Sequence, residues 1–307
     1  MISTPLASPL QPILRGILEA RRSLGWKVGS LFANGEQGMV YDPSDLSTLF
    51  QDSAGTTPVT AVEQPVGLML DKSNGLVLGP ELVVNGDFSN GLTGWLQNAS
   101  AVGTAIVVGE VLSQTAPHGD YSETKQGNKS VVGRTYKVTF DVVSKGADAV
   151  VTIQYGRANL YSGIISALPI GTYTAYATST HPDGFSISVR TNGVIAIDNV
   201  SAKELPGNHA SQATAGKRPL LKAGAAQYLD FDIVDDALVA TFPAALGSTC
   251  TVALAVPGVG ASILTGQTIG TTYTISSDIC ALVITNDALT ADETAKLTAY
   301  LNKKAGM

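Results

Sequence analysis

The chain has 307 residues, of which 44% are hydrophobic and only 14% charged. That is enough apolar material for more than one core and too little charge for long solvated helices. A formal net charge of −6, with no run of Lys and Arg anywhere along the chain, leaves no basic face to neutralise phosphates and excludes nucleic acid as a partner. No apolar stretch reaches the roughly 20 residues that a bilayer crossing requires, so no membrane insertion is expected.

Residues 1–34 form the first segment. Met1-Ile2-Ser3-Thr4-Pro5 lacks the basic and apolar regions of a secretory signal, and the chain is read as a cytosolic product. After Pro5, Pro9 and Pro12, the residues Ile13, Leu14, Ile17, Leu18, Ala20 and Leu24 recur at helical spacing, with Gly25 as the closing residue. This short N-terminal helix has no long apolar partner nearby in sequence. It either docks on another subunit or the main body, or simply caps its own domain.

Residues 35–81 are polar and irregular. Asp42-Pro43 favours a turn, Ser44 to Phe50 suits one helical turn, and Val66 to Leu70 reads as an apolar strand. From 82 to 205 the texture changes to strict alternation. Tyr136, Val138, Phe140 and Val142 fall on one face of a strand, with Lys137, Thr139 and Asp141 on the other. The pattern repeats in Val151 to Tyr155, Thr172 to Tyr176, Phe185 to Val189 and Val194 to Asp198, with Gly and Asn turns between. Strands at this spacing predict a two-sheet sandwich.

Residues 206–307 hold further strands at Tyr228 to Val234, Leu238 to Phe242, Cys250 to Val256 and Ile279 to Ile284. The two cysteines, Cys250 and Cys280, lie in these apolar runs, as buried free thiols or as a disulfide. A C-terminal helix begins at a capping box, Thr290 with Glu293. It carries Leu297, Tyr300 and Leu301 as its apolar stripe, with Lys303 and Lys304 at its negative end.

Two resemblances refine this outline. Val84-Asn85-Gly86-Asp87-Phe88-Ser89-Asn90-Gly91-Leu92-Thr93-Gly94-Trp95 resembles the opening of the jelly-roll carbohydrate-binding modules attached to cellulases and xylanases, and Ile195-Ala196-Ile197-Asp198-Asn199-Val200-Ser201 resembles their closing strand. The flanking text, Tyr41-Asp42-Pro43-Ser44-Asp45, Leu68-Met69-Leu70-Asp71-Lys72-Ser73 and Gly207-Asn208-His209-Ala210, resembles tailed-phage virion proteins with a concanavalin- or laminin-G-like module. In that family the Asp-Lys-Ser segment runs almost directly into Gly-Asn-His-Ala. Here more than a hundred residues intervene. The expected fold is therefore all-β: a jelly-roll β-sandwich inserted in a second, smaller β-rich module, with a short N-terminal helix and a C-terminal helix. Insertion at a surface loop needs only that the guest's ends lie close together.

The resemblances imply a non-enzymatic structural component of a virion (appendage, collar, tail or capsid surface), made in the host cytoplasm, homo-oligomeric and in contact with other virion proteins. The alternative is a glycan-binding adhesin whose jelly roll binds host-surface polysaccharide. Modules of this kind stack sugar rings on aromatic faces, which points to Tyr155, Tyr161, Tyr173 and Tyr176, while Trp95 reads as core. They also commonly hold a structural calcium, for which Asp198 matches a usual ligand position and Asp87 is the second carboxylate; no cofactor is required otherwise. His118, His181 and His209 stand in loop text without metal spacing. The acidic stretch Asp230, Asp232, Asp235, Asp236 reads as a strand followed by a turn, and no acid/base pair of a glycosidase can be named.

Overall fold

The computed structural model describes residues 26–98, 100–146 and 149–307; the helix expected over 13–24 lies outside them. The described chain is nearly all antiparallel β. Its single α-helix, Ala291–Lys304, starts at the expected capping box: the Thr290 hydroxyl accepts from the Glu293 amide, and the Glu293 carboxylate accepts from the Thr290 amide.

Two sandwiches build the molecule. The first occupies residues 82–205. One of its sheets runs in the order Ala158–Ile164, Val150–Tyr155, Phe185–Arg190, Tyr121–Lys125, Leu96–Gln97, and the other Gly171–Thr178, Thr135–Lys145, Val194–Glu204, Val111–Thr115, Thr104–Val108. Tyr136, Val138, Phe140 and Val142 point inward, as their alternation demands, against Val151, Ile153, Phe185, Ile187 and Val189 of the opposite sheet. Trp95 is core as well. It stacks on Phe88 at 5.0 Å and its indole N–H donates to the Asn85 carbonyl.

The opening motif closes on itself through Asn85, whose side-chain amide donates to the Gly91 and Thr93 carbonyls while its carbonyl accepts from the Asn90 amide. Gly86 then meets the closing strand: the Val200 amide donates to its carbonyl, and a Cβ there would lie 1.9 Å from the Val200 oxygen. Only glycine permits so close a backbone approach.

The second sandwich is assembled from both flanks. A four-stranded sheet has the order Gly38–Tyr41, Ala281–Thr285, Gly247–Val256, Gly260–Ile269. A five-stranded sheet has the order Leu49–Phe50, Leu68–Met69, Ala210–Ser211, Leu238–Thr241, Thr272–Ile275. Strands from before residue 70 thus pair with strands from after residue 209 in both sheets. Ala281–Thr285 is buried on both faces, Leu282 and Ile284 toward the five-stranded sheet and Val283 toward Leu297 and Leu301 of the helix. That double burial is why the strand reads as a continuous apolar run rather than an alternation. Cys250 and Cys280 are buried free thiols.

The helix is also tied to the opposite end of the chain. Lys304 donates to both Asp42 oxygens at 2.7 Å, and Lys72 pairs with the same carboxylate and with Asp45. Burial alone would raise the Asp42 pKa, but the Lys304 and Ser44 hydrogen bonds and the charge of Lys72 hold it below the ordinary aspartate value.

The join between the sandwiches centres on Asp71, which is fully buried. One carboxylate oxygen accepts from the Val40 and Ser73 amides, the other from the Asn208 amide and the Ser73 hydroxyl, all at 2.8 Å. His209 Nδ1 accepts from the Asp71 amide, its Nε2 faces the Leu205 carbonyl, and the Tyr41 hydroxyl donates to the Asn208 carbonyl. A second staple lies on the guest side, where Glu81 accepts from the amides of Leu82, Val83 and Ala202 and from the Ser201 hydroxyl.

Two stability predictions follow from this packing. The inward face of Tyr121–Lys125 is polar, and Thr124 Oγ1 is buried with no partner among the described residues. Thr124→Val is expected to raise stability by about 1 kcal/mol in urea unfolding, because it removes a desolvated hydroxyl at constant shape; a loss of that size would show that the hydroxyl is satisfied.

At the join, burial pushes Asp71 up to about 6 and His209 down to about 4. Ionisation of Asp71 removes stability as pH rises from about 4 to 6, whereas protonation demand at His209 removes it as pH falls through the same window, so the two slopes oppose each other. His209→Gln should expose the Asp71 slope alone, with stability falling by up to about 3 kcal/mol between pH 4 and 6 relative to the parent. An unchanged pH profile in denaturant titrations would refute this.

Candidate functional site

The structure places the four expected sugar-stacking tyrosines in different surroundings. Tyr155 is fully buried, lies 4.8 Å from Tyr136 and donates its hydroxyl to the Lys129 carbonyl. Burial raises its phenol well above the ordinary tyrosine value. Tyr173 packs on Phe140 at 5.1 Å and donates to the Leu160 carbonyl; Tyr161 sits edge-on to Tyr173 and donates to the Ile164 carbonyl. Both are only partly exposed and have their edges or hydroxyls committed.

Tyr176 faces the other sandwich. Its ring lies 5.1 Å from Phe50 within a cluster of Leu68, Leu70 and Leu205, and its amide donates to the Ala54 carbonyl. Gly55, at φ +66°, makes room for that ring: a Cβ would stand 2.4 Å from it. The alternation in the sequence correctly places these tyrosines on strands, but a tyrosine on a strand is as good a packing residue as a sugar platform.

The two expected calcium carboxylates are turned to local groups. Asp87 accepts from the amide and hydroxyl of Ser89, and Asp198 from the amide of Asn199. Neither belongs to a cluster of three metal-ligating side chains; among the described residues the one such cluster is Asp232, Asp235 and Asp236. There Asp232 accepts from the amides of Val234, Asp235 and Asp236, which makes it a turn cap. A hard cation wants six or more oxygens, so a calcium at Asp87 or Asp198 would need backbone carbonyls beside the carboxylate.

Concave surface occurs instead at the junction of the sandwiches. A cavity of about 250 Å³ is lined by Asn74, Arg134, Glu204, Pro206 and Asn208, among others. A neighbouring one of about 240 Å³ is lined by Phe242, Pro243, Leu246 and Asn286, and both include Gln37, Asn208 and Pro243. The first lies on the seam, and the second, walled by the outer sandwich alone, adjoins it through those shared residues to extend the groove.

Its walls are held from behind. Gln37 donates its backbone amide to Asn286 Oδ1, Asn208 donates its side-chain amide to the Gly38 carbonyl, and Arg134 Nη1 donates to both Glu204 carboxylate oxygens at 2.8 and 3.0 Å. Gln37 Oε1, Asn74 Oδ1, Asn208 Oδ1 and Asn286 Nδ2 have no protein partner among the described residues. The groove thus offers acceptors, a donor amide and a guanidinium edge, with Pro206, Pro243 and Leu246 supplying apolar wall. Sequence reading missed it because its residues come from six stretches between Gln37 and Asn286, in turns and strand ends.

The molecule is thus an all-β protein of two sandwiches, one a ten-stranded jelly roll, with a polar groove between them. No family model matches the sequence, and no curated protein does. Among solved structures, similarity is found to a family 29 carbohydrate-binding module, at 13% identity over 41% of this chain and 84% of that one (TM-score 0.29). It extends to a xylan-binding domain of family 22 from Paenibacillus barcinonensis, at 9% identity over 42% of this chain and 97% of that one (TM-score 0.31), and to a tandem pair of such modules from the same organism, at 9% identity over 70% and 94% (TM-score 0.33).

Proposed function

We propose that this is a non-enzymatic glycan-binding protein whose ligand lies in the seam groove between the two sandwiches. The observation that carries the reading is the set of side-chain amide atoms lining that groove without protein partners, beside a fixed Arg134–Glu204 pair. Saccharide hydroxyls both donate and accept, so a wall that alternates carbonyl oxygens, amide hydrogens and a guanidinium edge matches them better than it matches an apolar ligand. The apolar prolines and Leu246 suit the C–H faces of a sugar ring.

A second reading, a self-associating surface component of a tailed-phage virion, draws on the flanking resemblance and on one structural feature. Gly260–Ile269 is a ten-residue edge strand with no charged residue and no proline; no described strand pairs with its outer edge, where the Asn302 side chain accepts from the Ala261 amide. Edges of that kind are ordinarily guarded, because they template pairing with another chain. The two readings are compatible.

For the first, a glycan array probed with the full chain should give saccharide hits. Asn74→Ala and Arg134→Gln should weaken them about tenfold each, with no loss of thermal stability; absence of hits, or hits indifferent to both variants, would remove the groove from consideration. For the second, light scattering should give a mass above the 31.6 kDa monomer, and Leu264→Lys, at a half-exposed position on the edge strand, should return it to the monomer. A monomeric parent would end that reading.

A further inference from the structure

The outward face of the jelly-roll sheet containing Thr135–Lys145 and Val194–Glu204 carries a like-charge pair. In the register of these antiparallel strands Lys137 stands directly opposite Lys203, and Thr139 directly opposite Ser201. The inward neighbours, Val138 and Ala202, are fully buried, so the backbone beneath the pair is fixed by the core and the lysines cannot exchange faces. Directly opposed side chains on one face have their Cβ atoms about 5 Å apart, and like charges there repel.

Neither lysine forms an ion pair among the described residues. Glu204, adjacent in sequence, pairs with Arg134. Glu81, across from Lys203, has its oxygens occupied by three backbone amides and the Ser201 hydroxyl. Asp141, one step beyond Thr139 on the same face, accepts from Thr172 and Asn199. Lys137, Thr139, Ser201 and Lys203 line a cavity of about 190 Å³, walled on its remaining side by Leu78. Both lysines are partly buried.

We propose that this cavity is an oxyanion site, in which the two ammonium groups and the Thr139 hydroxyl hold a carboxylate, sulfate or phosphate group. Two lysines lining one cavity can supply up to six N–H donors, and the Thr139 hydroxyl has no partner among the described residues; charge-assisted bonds from such donors are the strong kind. A bound anion removes the repulsion that the register imposes. The site lies outside the seam groove and does not rest on the saccharide reading. The anion can be a free inorganic ion or the acid group of a larger ligand such as a uronic acid.

The test uses the full chain, titrated by calorimetry with sulfate, inorganic phosphate and glucuronate, with glucose and ionic-strength-matched chloride as controls. Saturable binding of at least one oxyanion is expected, weakened about tenfold or more in Lys137→Gln and in Lys203→Gln. Binding of glucuronate would identify a sugar acid as an acceptable source, and binding of the inorganic ions alone would identify free anions. A second signature separates the site from a folding defect: without anion, each variant should melt at or above the parent temperature, because the repulsion is gone. The proposal is overturned by absence of saturable binding, by equal binding in both variants, or by variants that melt below the parent in anion-free buffer.

Discussion

One buried carboxylate determines whether this chain can be two sandwiches at all. Asp71 gathers donors from Val40 and Ser73, which precede the jelly roll, and from Asn208, which follows it at a separation of 137 residues. Burying a charge costs several kcal/mol unless its lone pairs are met by fixed donors. Here four donors at 2.8 Å offset part of that cost, which still holds the carboxyl up at about 6, and three are backbone amides that no rotamer change can withdraw. The entry and exit of the guest are thereby held together by the host. Because the entropy of closing a loop grows only slowly with its length, an insertion of more than a hundred residues is tolerated once its ends are pinned.

The same geometry explains what the sequence could reveal. The resemblance that marks residues 71–73 and 207–209 as halves of one motif falls on the residues that hydrogen-bond to each other across the insertion. The long central strands were legible because their inward residues are apolar and their outward ones polar, as Thr135–Lys145 shows. Tyr121–Lys125 was not, because its inward residues are Ser122 and Thr124 and no period-two contrast survives. Gly260–Ile269 was invisible for a related reason: as an edge strand of Gly, Ala, Ser, Thr and Gln around a few apolar residues it has no strongly apolar face to write. Element ends also moved. The strand expected over Tyr228 to Val234 stops at Asp230, where Asp232 caps a turn that leaves Ile233 and Val234 exposed.

Candidate site residues fared differently, since their chemistry is local but their burial is not. Tyr176 has the composition of a sugar platform and lies on the outward face of its strand, yet Phe50, far away in sequence, covers it. Period-two reading assigns a side chain to a face without saying what covers that face. Conversely, the atoms of the seam groove come from turns and strand ends whose only shared property is tertiary position. Lys137 was readable as an outward residue, but Lys203 lies past an irregularity between Asp198 and Ser201 that shifts the alternation and sets the register opposing the two. A one-residue change there would put them on different rungs.

The seam is where these observations combine. It is fixed at three points: the Asp71 lock, the Glu81 staple, and the apolar cluster of Phe50, Leu68, Leu70, Leu205 and Tyr176 into which Gly55 admits the ring. A groove between sandwiches that rocked freely would lose its ligand contacts to ordering entropy, whereas one whose walls are tied to a shared core is organised beforehand. The lock also sets one wall directly, because Asn208 donates to Asp71 through its backbone and presents its side chain to the cavity. Occupancy of the groove and integrity of the join are therefore linked: a ligand that binds only the closed seam stabilises it by mass action, and a seam loosened at Asp71 binds that ligand more weakly by the same free energy.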